Sequence, residues 1–177
     1  LPFYIIQLPN FDSINKKPLW AEMRDAQSKV LAVPGTHLIV TSDLGDPYDL
    51  HPRNKQEVGM RAALQALHYE YGYSDIVSES MFERMEINGD KVIITFKNTG
   101  SSLEIRSRYG CLQGFAIAGE DKKFHWALGE LKDNRIVIWS PKVPNPVAVR
   151  YNWENNPDGN LYNKDGLPAC LFRTDNW

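Results

Sequence analysis

A histidine that closely follows several aspartates marks the stretch SDLGDPYDLHPRNK, residues 42–55. The histidine is His51, and the acids before it are Asp43, Asp46 and Asp49. A carboxylate that contacts one imidazole nitrogen fixes the tautomer, so that the other nitrogen can take a proton from a hydroxyl nucleophile. The stretch therefore predicts a general base and its orienting acid within one loop. The alternative is purely structural, because aspartates before a helix are common caps and Asp-Pro is common in turns.

The nucleophile that such a base requires is not recognisable in these 177 residues. A G-x-S-x-G motif is absent from the sequence. Ser42 is too close to His51 in sequence to be its usual partner, and Ser101 and Ser102 lie in a predicted hairpin turn. We therefore expect the hydroxyl to come from another part of the polypeptide.

The elements around this loop alternate between strand and helix. Short apolar runs at 3–8 and 37–42 predict buried strands, and helical spacing predicts one helix from Pro18 to Leu31 and another from about Pro52 to Tyr71. This alternation predicts parallel strands with the loop at a carboxyl end of the sheet, where functional groups gather. Two strands are too few for a complete sheet, so we expect further strands upstream. The predicted core residues of the helices are Leu19, Trp20, Met23, Ala26, Val30, Leu31, Val58, Ala62, Leu64, Leu67 and Tyr71.

The pattern changes near residue 75 to short strand-like runs separated by turn residues. This spacing predicts an antiparallel β-sandwich or jelly roll, followed by an extended tail. We therefore divide the chain into an α/β part, 1–77, and a sandwich with its tail, 78–177. The six runs are 91–96, 102–107, 114–119, 124–131, 135–140 and 146–153.

Composition narrows the classes of partner. The net charge is −2, so neither nucleic acid nor an anionic membrane is expected to bind. No apolar run reaches the roughly 20 residues that cross a bilayer. A signal peptide is not expected, because Leu1 opens directly on a predicted strand, which suggests a piece of a longer chain. Cys111 and Cys170 fit one disulfide or two free thiols, and without CxxC spacing no zinc site is expected.

Three segments together resemble the C-terminal part of sialate O-acetylesterases, which are SGNH-type hydrolases. These are LWAEMRDAQ at 19–27, VTSDLGDPYDLHPRNKQEVGMR at 40–61, and the ending NPVAVRYNWENNPDGNLYNKDGLPACLFRTDNW at 145–177. They cover most of the chain in the order that the family has. The resemblance implies an α/β fold followed by β structure, namely the end of a flavodoxin-like hydrolase sheet and an antiparallel β-sandwich.

The resemblance also implies a reaction and its residues. Such enzymes remove O-acetyl groups from sugars, typically at the 9-position of sialic acid, with a serine, a histidine and an aspartate and without metal or cofactor. His51 matches the family's histidine, while the aspartate usually stands three residues earlier, where this sequence has Tyr48. Asp49 is the preferred acid and Asp46 the alternative. The expected partners are an O-acetylated sugar and the upstream part of the enzyme that carries the serine, without which this fragment should be inactive.

An extracytoplasmic location, periplasmic or secreted, follows from the resemblance as an expectation. The absence of N-x-[ST] sequons agrees with a bacterial source. The alternative function is a non-catalytic module, in which residues 78–177 bind glycan or only support the hydrolase.

Other polar residues receive structural interpretations. Arg24 and Gln27 are interpreted as a solvated helix face, with hydrogen bonds that brace the loop as the alternative. Arg173 and Asp175 are interpreted as a structural pair. The remaining histidines, His37, His68 and His125, are interpreted as strand-start, helix-surface and strand residues.

Overall fold

The structure is a computed structural model that describes residues 1–12, 19–76 and 78–177. Its first part contains strand β1, Phe3–Ile6, helix α1, Leu19–Ser28, and a 3₁₀ turn, Lys29–Ala32. Strand β2, Thr36–Ile39, and helix α2, Lys55–Tyr69, follow. The start of the first helix predicted at Pro18 lies outside the described residues.

The predicted parallel pair is confirmed, because β1 and β2 run parallel with Phe3 opposite Thr36 and Ile6 opposite Ile39. The two helices lie on opposite faces of this pair, since side chains alternate along a strand. Leu38 packs in one cluster with Ala21 of α1, whereas the neighbouring His37 stacks on Tyr69 of α2. The flavodoxin-like sheet itself stays a prediction, because two strands do not define it.

Helix α2 begins at Lys55, three residues later than predicted. The Asn54 side chain accepts a hydrogen bond from the Glu57 backbone N–H at 3.1 Å, which caps the helix there. His51 therefore lies in the loop before the helix rather than at its first turn.

The predicted apolar cores of the helices are wrong. The buried residues are Ala21 and Arg24 in α1, and Arg61 and Gln65 in α2. None of the predicted core residues is buried: several are exposed, and those within α2 are half-buried, namely Val58, Ala62, Leu64 and Leu67. The exposed ones among them are Leu19, Met23, Ala26, Leu31 and Tyr71.

Residues 78–177 are rich in antiparallel strands, consistent with the predicted β-sandwich. One four-stranded sheet has the order β3-β4-β9-β8 and another β12-β10-β6-β7, while β11 pairs with β5. A shared apolar cluster that includes Ile94, Ile138, Phe115 and Tyr151 fills the space between them. The strands are β3 Met81–Asn88, β4 Lys91–Lys97, β5 Leu103–Ile105, β6 Phe115–Ala118, β7 His125–Trp126, β8 Leu128–Lys132, β9 Arg135–Trp139, β10 Ala148–Tyr151, β11 Leu161–Asn163 and β12 Phe172–Arg173.

Three strands were missed by the sequence patterns. β3 has an exposed, charged face that hides its alternation, and the predicted extended tail contains the short strands β11 and β12. The run predicted at 124–131 divides into β7 and β8, which belong to different sheets.

Candidate functional site

The loop from residue 40 to 54 carries His51, and its first acid anchors it. The Arg61 guanidinium donates to both carboxylate oxygens of Asp43, at 2.7 and 2.8 Å, and also to the Val40 carbonyl at 2.8 Å. The Tyr162 hydroxyl donates to Asp43 at 3.0 Å. A bidentate arginine–carboxylate pair of this kind fixes the relative orientation of the two side chains. Asp43 therefore ties strand β2, helix α2 and the C-terminal tail together.

Charge and burial both shift the pKa values of the two groups that donate to Asp43. Burial lowers the pKa of Arg61, but the carboxylates of Asp43 and Glu57 raise it above its ordinary value. Burial raises the pKa of Tyr162, and the Asp43 charge raises it further. Both groups thus keep their protons at neutral pH, and the hydrogen bonds to Asp43 persist.

The middle of the loop is held by the segment that follows β1. The Gly45 N–H donates to the Asn10 side-chain oxygen at 2.6 Å, and the Asp12 N–H donates to the Pro47 carbonyl at 2.9 Å. A Cβ at Gly45 would overlap the Asn10 backbone. The Asn10 side chain in turn donates to Asn156 at 2.6 Å, which connects the loop to the sandwich.

His51 and Asp49 are brought together at the exposed end of the loop. His51 Nδ1 lies 3.4 Å from Asp49 Oδ1, and the His51 backbone N–H donates to the same oxygen at 2.9 Å. This backbone bond is the main reason that the pKa of Asp49 is lowered. The imidazole is 84% exposed, so its Nε2 edge is accessible from outside the described chain. The geometry matches a carboxylate that orients an imidazole, and the catalytic role itself stays a prediction.

Asp46 is used differently from Asp49. Its carboxylate accepts from the Tyr48 N–H at 2.8 Å, and its carbonyl accepts from the Asp49 N–H at 3.3 Å. These bonds close a turn around Pro47 that sets Asp49 beside His51. A spacing of two residues therefore still allows the Asp49 carboxylate to contact the His51 imidazole. Tyr48, which stands where the resemblance places the acid, is 91% exposed.

The interpretation of Arg24 as a solvated residue is wrong. Its side chain is fully buried and donates to the carbonyls of Glu154 and Asn155, the latter at 3.3 Å. Burial lowers its pKa to about 10. Gln27 accepts from the Leu8 N–H at 3.0 Å. Arginine has a long aliphatic stem that can cross a core, so helical periodicity of apolar residues could not reveal this role.

The remaining polar residues have structural positions. His37 stacks on Tyr69 with ring centroids 3.9 Å apart, which suits a strand-start residue. Arg173 lies 3.9 Å from Asp175, whose closer partner is Arg150 at 2.7 Å.

Both cysteines are free, Cys111 exposed and Cys170 buried. Within residues 1–12, 19–76 and 78–177 there is no cluster of metal-ligating side chains, and no helix long and apolar enough to cross a membrane.

Comparison with known proteins gives matches among solved structures. None of the protein-family models matches the chain, and none of the curated proteins does. A matching solved structure is that of a novel carbohydrate acetylesterase from Xanthomonas citri, with 45% sequence identity and a TM-score of 0.94. The chain is similar over its whole length to part of a carbohydrate acetylesterase. The match covers 100% of this chain but 42% of the other one.

This similarity fits the predicted esterase class at a coarse level. It supports a carbohydrate esterase, but it does not single out sialate O-acetylesterases within that class. The chain spans about two fifths of the length of the protein it matches, since 42% of that chain is covered.

Proposed function

We propose that this chain is the C-terminal part of a carbohydrate acetylesterase and supplies the general base His51, oriented by Asp49, to a serine elsewhere in the polypeptide. The observation that carries the proposal is the match to a carbohydrate acetylesterase along 100% of the chain at 45% identity. The contact between the imidazole and the carboxylate supports the assignment of the two residues.

The chemistry follows from these positions. The serine Oγ attacks the acetyl carbonyl while His51 Nε2 takes its proton, and the Asp49 carboxylate stabilises the resulting imidazolium through Nδ1. The imidazolium then protonates the departing sugar oxygen, which leaves an acetyl-serine. A water molecule, activated by the same imidazole, hydrolyses that ester and releases acetate. His51 thus acts in turn as base and as acid, and these steps need no cofactor.

The α/β part has apolar side chains on its surface, which indicates that another segment of the same polypeptide packs against it. Phe3 and Ile6 of β1 are 62% and 52% exposed, and Leu19 and Met23 of α1 are 47% and 52% exposed. Parallel sheets are normally covered on both faces. Because β1 has exposed apolar residues, we expect further strands or helices to pack against the pair of β1 and β2. We propose that the segment carrying the serine covers this surface, as the 42% coverage of the matched chain allows.

The proposed substrate is an O-acetylated sugar, with the 9-O-acetyl ester of sialic acid as the specific case. This choice rests on the resemblance of the loop and closing segments, and so does the proposed location outside the cytoplasm.

The test is His51→Ala in the polypeptide that includes the serine segment, with 4-nitrophenyl acetate as substrate. We expect kcat to fall at least about a thousandfold, as losing the base of a serine triad does. The control is His68→Ala, because His68 is a half-buried histidine on the last turn of α2 and away from the loop. Full activity in His51→Ala would refute the assignment.

A contribution of the sandwich to glycan binding is the second candidate. Trp126 is 61% exposed on that part of the chain, which a purely supporting sandwich does not require.

A further inference from the structure

A cleft of about 600 Å³ opens on the outer face of the sheet β12-β10-β6-β7. A second cleft of about 440 Å³ shares Gly114, Trp126 and Glu154 with it, so the two form one groove that we call the Trp126 groove. The residues that line the groove are far in sequence from the His51 loop. No step of the proposed reaction uses it.

The strand register explains why the groove exists. Trp126 of β7 lies opposite Ala116 of β6, and Ala116 lies opposite Arg150 of β10. Residues paired in this way point to the same face of a sheet. The short side chain of Ala116 thus lies between the long side chains of Trp126 and Arg150, and the space above its methyl group forms the floor of the groove.

One wall of the groove is rigidly built. Arg150 donates to both carboxylate oxygens of Asp175, at 2.8 and 2.7 Å, and to the Trp177 carbonyl at 3.0 Å. Its guanidinium lies 4.0 Å from the centre of the Phe124 ring and 5.4 Å from that of Trp153. The Asp175 side chain is fully buried. Its carboxylate neutralises the arginine, so this wall offers shape and N–H groups without a free positive charge.

The opposite wall is an exposed indole. Trp126 is 61% exposed although large aromatic side chains are usually well buried. An indole face provides a large, rigid and partly apolar surface, which suits the C–H face of a pyranose ring. Exposed aromatics in a concave site are typical anchors of binding.

Polar groups along the groove match sugar hydroxyls. The carboxylates of Glu154 and Asp158 can each accept two hydrogen bonds, and burial followed by the Asp158 charge raises the pKa of Glu154. Lys142 and Ser140 add donors at the other end. The groove is lined by two acids and one lysine, so an anionic chain is disfavoured.

We propose that the Trp126 groove binds a neutral stretch of a polysaccharide chain, with one pyranose stacked on Trp126 above Ala116. It is a second contact site for the glycan, distinct from His51, and its link to catalysis rests on the proposed function. The groove adjoins the α/β part, because the Glu154 carbonyl accepts from Arg24 of α1. A chain held here thus lies beside the contact between the sandwich and α1.

The experiment uses the full-length protein and calorimetric titration with cellohexaose, xylohexaose and mannohexaose. We expect at least one of them to bind, and Trp126→Ala to weaken that binding about tenfold or more. Ala116→Leu should weaken it similarly, because it fills the floor and leaves Trp126 in place. Tyr109→Ala is the matched control, since Tyr109 is an 80% exposed ring that does not line the groove. Hexagalacturonate, an anionic chain, should bind more weakly than the neutral hexaose.

Three results would overturn the proposal. These are no binding of any neutral hexaose at about 1 mM, unchanged binding in both Trp126→Ala and Ala116→Leu, or tighter binding of hexagalacturonate. Hydrolysis of 4-nitrophenyl acetate by the control Tyr109→Ala should equal that of the unchanged protein. If neither hydrolyses the ester while Trp126-dependent binding persists, the esterase proposal fails and the groove stands.

Discussion

At the residue scale, Asp49 and Asp46 make different contacts near His51. Asp49 faces the imidazole at 3.4 Å, whereas the Asp46 carboxylate is occupied by the Tyr48 backbone at 2.8 Å. A carboxylate can orient an imidazole only where it can reach it. Under the proposed function Asp49 is therefore the orienting acid, whereas Asp46 shapes the turn.

This difference predicts unequal effects of two matched substitutions in the complete enzyme. Asp49→Asn should lower kcat by roughly a thousandfold, because the amide favours the wrong tautomer of His51. Asp46→Asn keeps an acceptor for the Tyr48 N–H and should lower kcat less than about tenfold. Steady-state hydrolysis of 4-nitrophenyl acetate measures both. A larger loss in Asp46→Asn would transfer the orienting role to Asp46.

Glu79 is a buried acid between the α/β part and the sandwich. It accepts from the Val40 N–H at 3.2 Å and from the Gln65 side chain at 2.7 Å. Burial raises its pKa to about 7, above the ordinary value of 4.5. The folded chain therefore binds this proton more strongly than the unfolded chain does.

Because the folded-state pKa is the higher one, stability should fall as the pH rises from about 4.5 to about 7. Glu79→Gln should flatten this part of the profile and raise the free energy of unfolding above pH 7, by at most roughly 3 kcal/mol. Urea unfolding of both proteins at several pH values measures the difference. Parallel profiles for the two proteins would show that Glu79 does not titrate in this range.

At the element scale, helix α2 fixes the loop through one side chain. Arg61 is 3% exposed and connects α2 to Asp43 and to the end of β2. Removing one member of a buried pair leaves the other charge without compensation. The loop geometry thus depends on a helix whose buried positions are polar.

Arg61→Met should therefore lower the free energy of unfolding by about 3 kcal/mol. Tyr162→Phe, which removes a single hydrogen bond to the same carboxylate, should cost about 1 kcal/mol. Denaturant unfolding measures both changes. Equal losses would mean that the ion pair contributes no more than the hydroxyl.

At the scale of the whole molecule, the two parts differ in how completely they bury apolar residues. The sandwich has an extensive cluster that includes Val92, Ile117 and Leu161. The α/β part leaves Phe3 and Ile6 of β1 and Leu19 and Met23 of α1 exposed. Such a difference is expected if another segment of the polypeptide packs against the α/β part, as proposed above.

Residues 1–177 alone should consequently show no hydrolysis of 4-nitrophenyl acetate above background. They should also bind an apolar dye such as ANS, and a protein that includes the serine segment should bind less dye per molecule. Fluorescence titration of the two forms makes this comparison. Rapid ester hydrolysis by residues 1–177 alone would place the nucleophile within this chain.

The sequence by itself determined the order of the elements, the parallel pair, most strands of the sandwich and the grouping of His51 with Asp49. These features depend on local patterns, namely apolar periodicity, turn residues and short spacing. Tertiary structure alone decided the burial of Arg24, Arg61 and Glu79, whose partners include residues 14 to 131 positions away in sequence. It also decided the Trp126 groove. Cross-strand register, which sets Ala116 between Trp126 and Arg150, depends on pairings that no single run of residues encodes.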